Sequence, residues 1–318
     1  MRVLYYALGG GHGHVLRGLA VLSRLGHGTL IGPRRLAGWA ETLGVDYLAP
    51  PEPYDLEWID AVPTPGLLLV DVFPRGVVAE LPPLLARTPA WLVSRCVSPA
   101  YYLHPPVRAA ISRCYERVVW TEPPPAALRA LDVPRTDIPP VMLRPPTLTR
   151  TEARRELDVR AGHRLLLGLG SGGIEQQARL CRLLAKVAAR VGAALRFVSA
   201  ELPPLPPVTP VFPAARVLAA ADVVVTAGGY HAFHETRAAG VPTIFIPQRR
   251  RYDDQWHRVA GARVATDPRE LEALVRRLLD GAVVTPQPVG DGAAALARLV
   301  ERRMQHRVLT EEEIASVA

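Results

Sequence analysis

The sequence predicts an α/β protein built from two parallel-sheet domains. Three observations carry that expectation. Short apolar runs end in glycine turns and lead into helical patterns, and strands alternating with helices give parallel sheets covered on both faces. This strand–glycine–helix unit opens near residue 3 and again near residue 164. The length of 318 residues suits two domains of ordinary size.

The first run, Val3–Leu8, is ended by Gly9, Gly10 and Gly11, the pattern of a buried parallel strand. Leu16, Leu19, Ala20 and Leu22 then recur at helical spacing until Gly26, a stop signal. Further strands are expected at Thr29–Ile31, Gly66–Asp71, Ala90–Ser94 and Arg117–Trp120. Residues 133–147 are rich in proline, which stiffens the chain and excludes regular structure. They are the expected linker, closing an N-terminal domain of residues 1–147. A helix over Thr151–Leu157 precedes the second unit: strand Arg164–Leu169, turn Gly170–Gly173, helix Glu175–Val191. Strands at Leu195–Ser199, Asp222–Thr226 and Pro242–Pro247 follow. Between them lie a proline-rich loop at 202–213 and a helix ending at Ala239; a helix over Asp267–Leu279 comes next. The stretch Gly292–Val308 is expected to close the C-terminal domain, bounded at 148–300. Thr310 with Glu313 forms a capping-box pattern for a short helix in a tail of 301–318.

Composition excludes several classes. No apolar run approaches the roughly 20 residues that span a bilayer. The start, MRVLYYALGGGHGH, lacks the basic cluster and apolar core of a signal peptide. Cys96, Cys114 and Cys181 are widely spaced and odd in number, against a disulfide framework or a zinc site. A reducing, cytoplasmic setting is expected. The formal net charge is +8, with a single lysine, Lys186, among 38 basic residues and no asparagine. That bias reads as codon usage in a GC-rich genome. The arginines are scattered and no recognition motif accompanies them, so nucleic acid is not an expected partner. Peripheral contact with an anionic membrane surface stands as an open alternative.

Four motifs carry chemistry. In the first, Gly9-Gly10-Gly11-His12-Gly13-His14-Val15-Leu16-Arg17, glycines after a strand bring backbone close to a ligand, and the helix start favours negative charge. The dinucleotide fingerprint is not met, because His14 stands where its third glycine belongs. His14 is well placed as a general base near neutral pH; His12 is the second candidate, or holds the turn. Arg17 is either an anion contact or an ordinary solvated residue. The second motif, Gly168–Gly173, places Ser171, Gly172 and Gly173 before a long helix, a phosphate cradle. The third runs from Asp222 to Pro247. Gly228 and Gly229 form another phosphate cradle, with Tyr230 and His231 beside it, and Glu235 about two turns on can reach a ribose. His231 and His234 lack the order and spacing of a zinc helix, so no metal is expected. The fourth is Gln248–Gln255, where Asp254 and Gln255 suit sugar hydroxyls. Its three arginines either neutralise a pyrophosphate or a lipid-linked phosphate acceptor, or form a solvated run. Asp71 ends a strand and is either a site residue or a turn acid.

Together these motifs resemble the GT-B glycosyltransferases of the bacterial MurG type, glycosyltransferase family 28. That family's loop reads G-G-T-G-G-H; here Gly9–His14 matches at the histidine and departs at Gly11 and His12. Ala227–Gln255 is similar to the donor-binding segment: a glycine pair, a helical Glu, an A-x-G-x-P step and an acid–glutamine pair. The resemblance implies two Rossmann-like domains facing a central cleft and an inverting, metal-independent transfer needing no cofactor. The donor would be a nucleotide sugar, UDP-linked by the resemblance, and the acceptor a hydroxyl of unassigned class. It implies catalysis by His14 and diphosphate contacts from Gly11, Gly13, Ser171, Gly172, Gly173, Gly228 and Gly229. Glu235 falls at the ribose position, and Asp254 and Gln255 at the donor-sugar position. Gly11–Arg17 also resembles the nucleotide-sugar hydrolases of the PseG type, where the histidine would activate water. A binding module without catalysis is the non-enzyme alternative.

Overall fold

The computed structural model describes residues 2–51, 56–281 and 284–315, the segment 306–315 by its backbone alone. The chain divides into two compact units, Met1–Leu143 with Gly290–Ala318, and Arg144–Val289.

The first unit carries strands β1 (Val3–Tyr6), β2 (Thr29–Ile31), β3 (Asp46–Leu48), β4 (Leu67–Asp71), β5 (Ala90–Ser94), β6 (Arg117–Trp120) and β7 (Arg135–Asp137). Helices α1 (His12–Leu25), α2 (Ala37–Thr42), α3 (Pro82–Leu85), α4 (Pro99–Tyr102) and α5 (Pro105–Cys114) connect them. The sheet is wholly parallel, in the order β3-β2-β1-β4-β5-β6-β7. Every residue of β1 is buried because both faces are covered. Val3 and Tyr5 pack with Val15, Leu19 and Leu22 of α1 on one face. Leu4 and Tyr6 pack with Leu84, Tyr102 and Ile111 on the other. This is the period-2 alternation of a strand read out on both sides.

The second unit carries α6 (Arg150–Glu156), β8 (Leu165–Leu169), α7 (Ile174–Val191), β9 (Ala194–Val198), β10 (Val208–Thr209), β11 (Val223–Thr226), α8 (Tyr230–Ala239), β12 (Thr243–Phe245), α9 (Gln255–Arg258) and α10 (Pro268–Leu279). Its five parallel strands run β10-β9-β8-β11-β12. Leu166, Val223 and Val225 meet Leu184 and Val275 on one face; Leu165, Leu167 and Val224 meet Ala153 and Val217 on the other. Thr149 and Glu152 make the capping box that starts α6.

In each unit the strand order reverses beside the opening strand, between β1 and β4 and between β8 and β11. Loops at such a switch point splay apart beyond the strand ends, which is where open α/β sheets bind ligands. Within the first unit the fold thus brings together the loops after β1 and β4 that the sequence marks, and within the second unit, separately, those after β8 and β11.

Three features depart from the sequence reading. Residues 133–147 are not all irregular: Arg135–Asp137 pairs with β6 as the sheet edge. The two-residue β10 arises likewise inside the proline-rich loop. Edge strands accept flanking prolines because one side of the strand needs no amide donors. Helix α11 (Gly292–Ala315) is continuous through Thr310, so no helix starts there; the Thr310 and Glu313 side chains lie outside the described residues. This helix belongs to the first unit, whereas the sequence predicts that Gly292–Val308 closes the second domain and that a tail begins at 301. Its Ala293, Leu296, Ala297 and Val300 complete the α1 face of the first core. Among the described residues no helix is long and apolar enough to cross a membrane.

Candidate active site

In the first unit the site is built on Asp71, the last residue of β4, fully buried. His14 and Arg17 stand one turn apart on α1, so both reach the same strand end. His14 Nδ1 lies 2.8 Å from Asp71 Oδ1. Arg17 donates from Nη2 to Oδ1 at 2.6 Å and from Nε to Oδ2 at 2.8 Å, a bidentate fork. The Tyr5 hydroxyl of β1 donates to Oδ2 at 2.8 Å. Each carboxylate oxygen therefore accepts twice, which uses the capacity of the anion.

An ionised carboxylate can only accept, so the close His14 contact puts the proton on Nδ1 and leaves the Nε2 lone pair as the basic site. Burial disfavours the imidazolium, and although Asp71 opposes this, the His14 pKa lies below its ordinary value of 6.5. Burial pushes the Asp71 pKa up, but Arg17 and His14 outweigh it and hold the carboxyl well below the usual range. The backbone after Asp71 is tightly turned. Phe73 N donates to Asp71 O at 2.7 Å across Val72, whose φ is 65°. A three-residue turn with positive φ is rare, and strained for a β-branched residue. It sets the Phe73 ring 5.2 Å from the His14 ring. Gly9 flanks the imidazole so closely that a Cβ there would lie 2.8 Å from Nε2.

The second histidine of the motif goes elsewhere. His12 packs edge-on against Trp39, with centroids 4.8 Å apart. Gly11 caps α1 with extended backbone and Gly13 lies in its first turn. Neither residue belongs to the unit that holds the remaining glycine loops.

In the second unit two helix starts adjoin. Gly173 caps α7 and Gly229 caps α8, neither with a side-chain cap, so amide donors at both starts face outward from the helix. Ser171 Oγ lies 3.6 Å from where a Gly229 Cβ would stand. Gly172 has φ 88°, and a side chain there would collide with the Arg250 guanidinium. Gln177, 4% exposed on α7, braces this loop: Nε2 donates to Gly172 O at 2.9 Å and to Glu201 Oε2 at 3.0 Å. Ser199 Oγ donates to Gln177 Oε1 at 2.7 Å.

On α8, Glu235 Oε1 lies 3.3 Å from His231 Nδ1, one turn apart. Tyr230 is buried between His234, at 4.8 Å between rings, and the Arg258 guanidinium. Asp254 Oδ1 accepts from His257 N at 3.0 Å and caps α9. Gln255 Oε1 accepts from Gln248 N at 2.9 Å, and its Nε2 points to Asp253 Oδ2 at 3.3 Å. Arg258 ties the two segments together, donating to Gly228 O at 2.9 Å and to Asp253 Oδ1 at 2.8 Å. Among the described residues no three His, Cys, Asp or Glu side chains gather as a metal-ligand set.

Sequence reasoning singled out His14, Arg17 and Asp71 separately, and the structure joins them. It missed Tyr5, Gln177 and Arg258. Gln177 had a signal: it interrupts the apolar stripe of Leu180, Leu184 and Val187, where a polar residue needs an internal partner. Tyr5 had none, because Asp71 lies 66 residues away, and the link from Arg258 to the Gly228 loop had none, because it spans 30 residues.

No protein-family model matches the chain, and no curated sequence does. Solved structures do match along its length. The glycotransferase of kitacinnamycin gives a TM-score of 0.63 at 19% identity, covering 95% of this chain and 98% of that one. The spinosyn forosaminyltransferase SpnP gives 0.62 at 16% identity, over 96% and 95%. The calicheamicin glycosyltransferase CalG4 gives 0.56 at 19% identity, over 98% and 94%. At these identities the likeness is one of fold: the chain has the GT-B fold, with a seven-stranded and a five-stranded parallel sheet in two α/β units.

Proposed function

We propose that the chain is a glycosyltransferase that moves a sugar from a nucleoside-diphosphate donor to a hydroxyl acceptor with inversion. The observation that carries this reading is the buried His14–Asp71 pair at the switch point of the first sheet, with Nδ1 committed to the carboxylate and Nε2 basic. Nε2 takes the proton from the acceptor hydroxyl as that oxygen bonds to the anomeric carbon. The bond from that carbon to the diphosphate oxygen breaks, and the electron pair leaves with the diphosphate. Asp71 stabilises the imidazolium that forms. The leaving charge falls to the amides at the starts of α7 and α8 and to Arg250, in the role that a divalent ion plays elsewhere. Glu235 serves the ribose, and the Asp254–Gln255 segment the donor sugar.

The resemblance at Gly9–His14 and Ala227–Gln255 supports a UDP-sugar donor. One fold neighbour, a spinosyn rhamnosyltransferase, is complexed with thymidine diphosphate and in another structure with spinosyn aglycone. Both uracil and thymine donors and a range of alcohols therefore belong in the test. The protein is incubated with UDP- and TDP-sugars, with and without an alcohol panel, and nucleotide release is followed. Acceptor-dependent release is expected, and His14→Ala should lower it by roughly 10²- to 10⁴-fold with donor binding by calorimetry unchanged. Full-rate release without acceptor would favour hydrolysis instead, and unaltered turnover in His14→Ala would overturn the assignment of the base.

A further inference from the structure

We propose that Arg17 is a positioning residue of this reaction: its fork on both Asp71 oxygens fixes the carboxylate against which the His14 ring is aligned. The inference rests on the reading of His14 as the base, but its observations are independent of the donor and acceptor. Arg17 is 2% exposed, so its charge is not spent on solvent. It takes one lone pair on each Asp71 oxygen, Tyr5 takes a second on Oδ2, and only the second on Oδ1 is left for His14 Nδ1. The carboxylate cannot rotate toward His14 without breaking a charge-assisted bond, so the imidazole has one hydrogen-bonded orientation.

The second consequence is electrostatic. A buried carboxylate facing a histidine alone would draw a proton onto the ring, because the ion pair is preferred to an unbalanced anion. With Arg17 the Asp71 charge is already balanced, and the ring stays neutral with Nε2 available. The groups that face His14 are Asp71 of β4, Arg17 of α1 itself and Arg95 after β5, with Tyr5 of β1 on the far oxygen. Both arginines oppose a charge on the ring and Asp71 alone favours one. Arg17 also lies 3.4 Å from His14 Nδ1 through Nη2. That separation is too long to compete with the 2.8 Å carboxylate contact for the Nδ1 position, but short enough for its charge to be felt.

Arg17→Gln and Arg17→Lys test this in the full chain. The His14 titration is read by NMR of the imidazole carbon-bound protons, and kcat and KM are measured against pH. In Arg17→Gln the His14 midpoint should rise by about one pH unit or more. The acid limb of kcat should move up with it, and the donor KM should stay unchanged. Arg17→Lys keeps the charge but loses the fork; its His14 midpoint should stay near wild type while kcat falls about tenfold or more. A His14 midpoint unmoved in folded Arg17→Gln would overturn the proposal, as would wild-type kcat in Arg17→Lys; the lysine variant also decides the matter if the glutamine variant does not fold. If the midpoint moves but wild type turns over no donor, the coupling stands and the transferase reading fails.

Discussion

One cationic side chain, Arg17, and the neutral imidazole of His14 share the fully buried carboxylate of Asp71. A buried ion pair is costly to desolvate and tolerable only when every lone pair is used, as it is here. The pH dependence follows from the two shifted groups. His14 titrates below 6.5 in the folded chain because burial disfavours its charge. Between that lowered value and about 6.5 the unfolded chain binds the proton that folded His14 refuses, so stability from this site falls as pH drops through the window. Asp71 adds to the same trend further down: its contribution is complete above the ordinary carboxylate value of about 3.9 and is lost as pH falls toward its lowered value. The acid limb of kcat/KM is therefore expected below pH 6.5, with a flat profile between about 7 and 8. A pH series with any active donor and acceptor pair checks it; a limb above 7 would show that a different group controls the rate.

At the scale of elements, the candidate site is concentrated in the turns that leave the strands. The Val72 turn holds one strained residue in place because Val72 N donates to Val93 O at 2.9 Å and Tyr102 donates to Val72 O at 3.0 Å. Strain of this kind costs about 1–3 kcal/mol and persists only where the surroundings over-determine it. The Gly170–Gly173 turn is held differently, by the buried amide of Gln177. Gln177→Ala removes three hydrogen bonds and leaves Ser199 without this acceptor. The expected cost is about 1–3 kcal/mol of stability. With this loop in its proposed role as a cradle for the donor diphosphate, the donor KM should rise roughly tenfold with kcat little changed. Chemical denaturation and steady-state kinetics together check this; a normal donor KM would mean that the loop holds its shape without the brace.

At the scale of the molecule, the last helix stabilises the first unit. Leu296 and Val300 are wholly buried against α1 and the β1 face. Leu296→Ala is expected to cost about 2–5 kcal/mol. In hydrogen exchange the loss of protection should appear in β1 and α1, not in β8, β11 or α7. Equal loss in both units, or loss in the second alone, would contradict that division. Much of the architecture was legible beforehand. Val3–Leu8, Leu165–Leu169 and Asp222–Thr226 announce buried strands because a sheet covered on both faces demands uninterrupted apolar residues. The glycines after them announce helix starts. The edge strands β3, β7 and β10 were not legible, being only two or three residues long and half-covered. At the site, His14 and the glycine turns could be picked from the sequence, since turn chemistry and helical spacing are local signals. That Asp71 faces His14, that Arg17 turns inward instead of toward solvent, and that Gly292–Val300 joins the first core were decided by strand order and helix packing. Those contacts join residues dozens to hundreds of positions apart, and no local period in the chain encodes which of them meet.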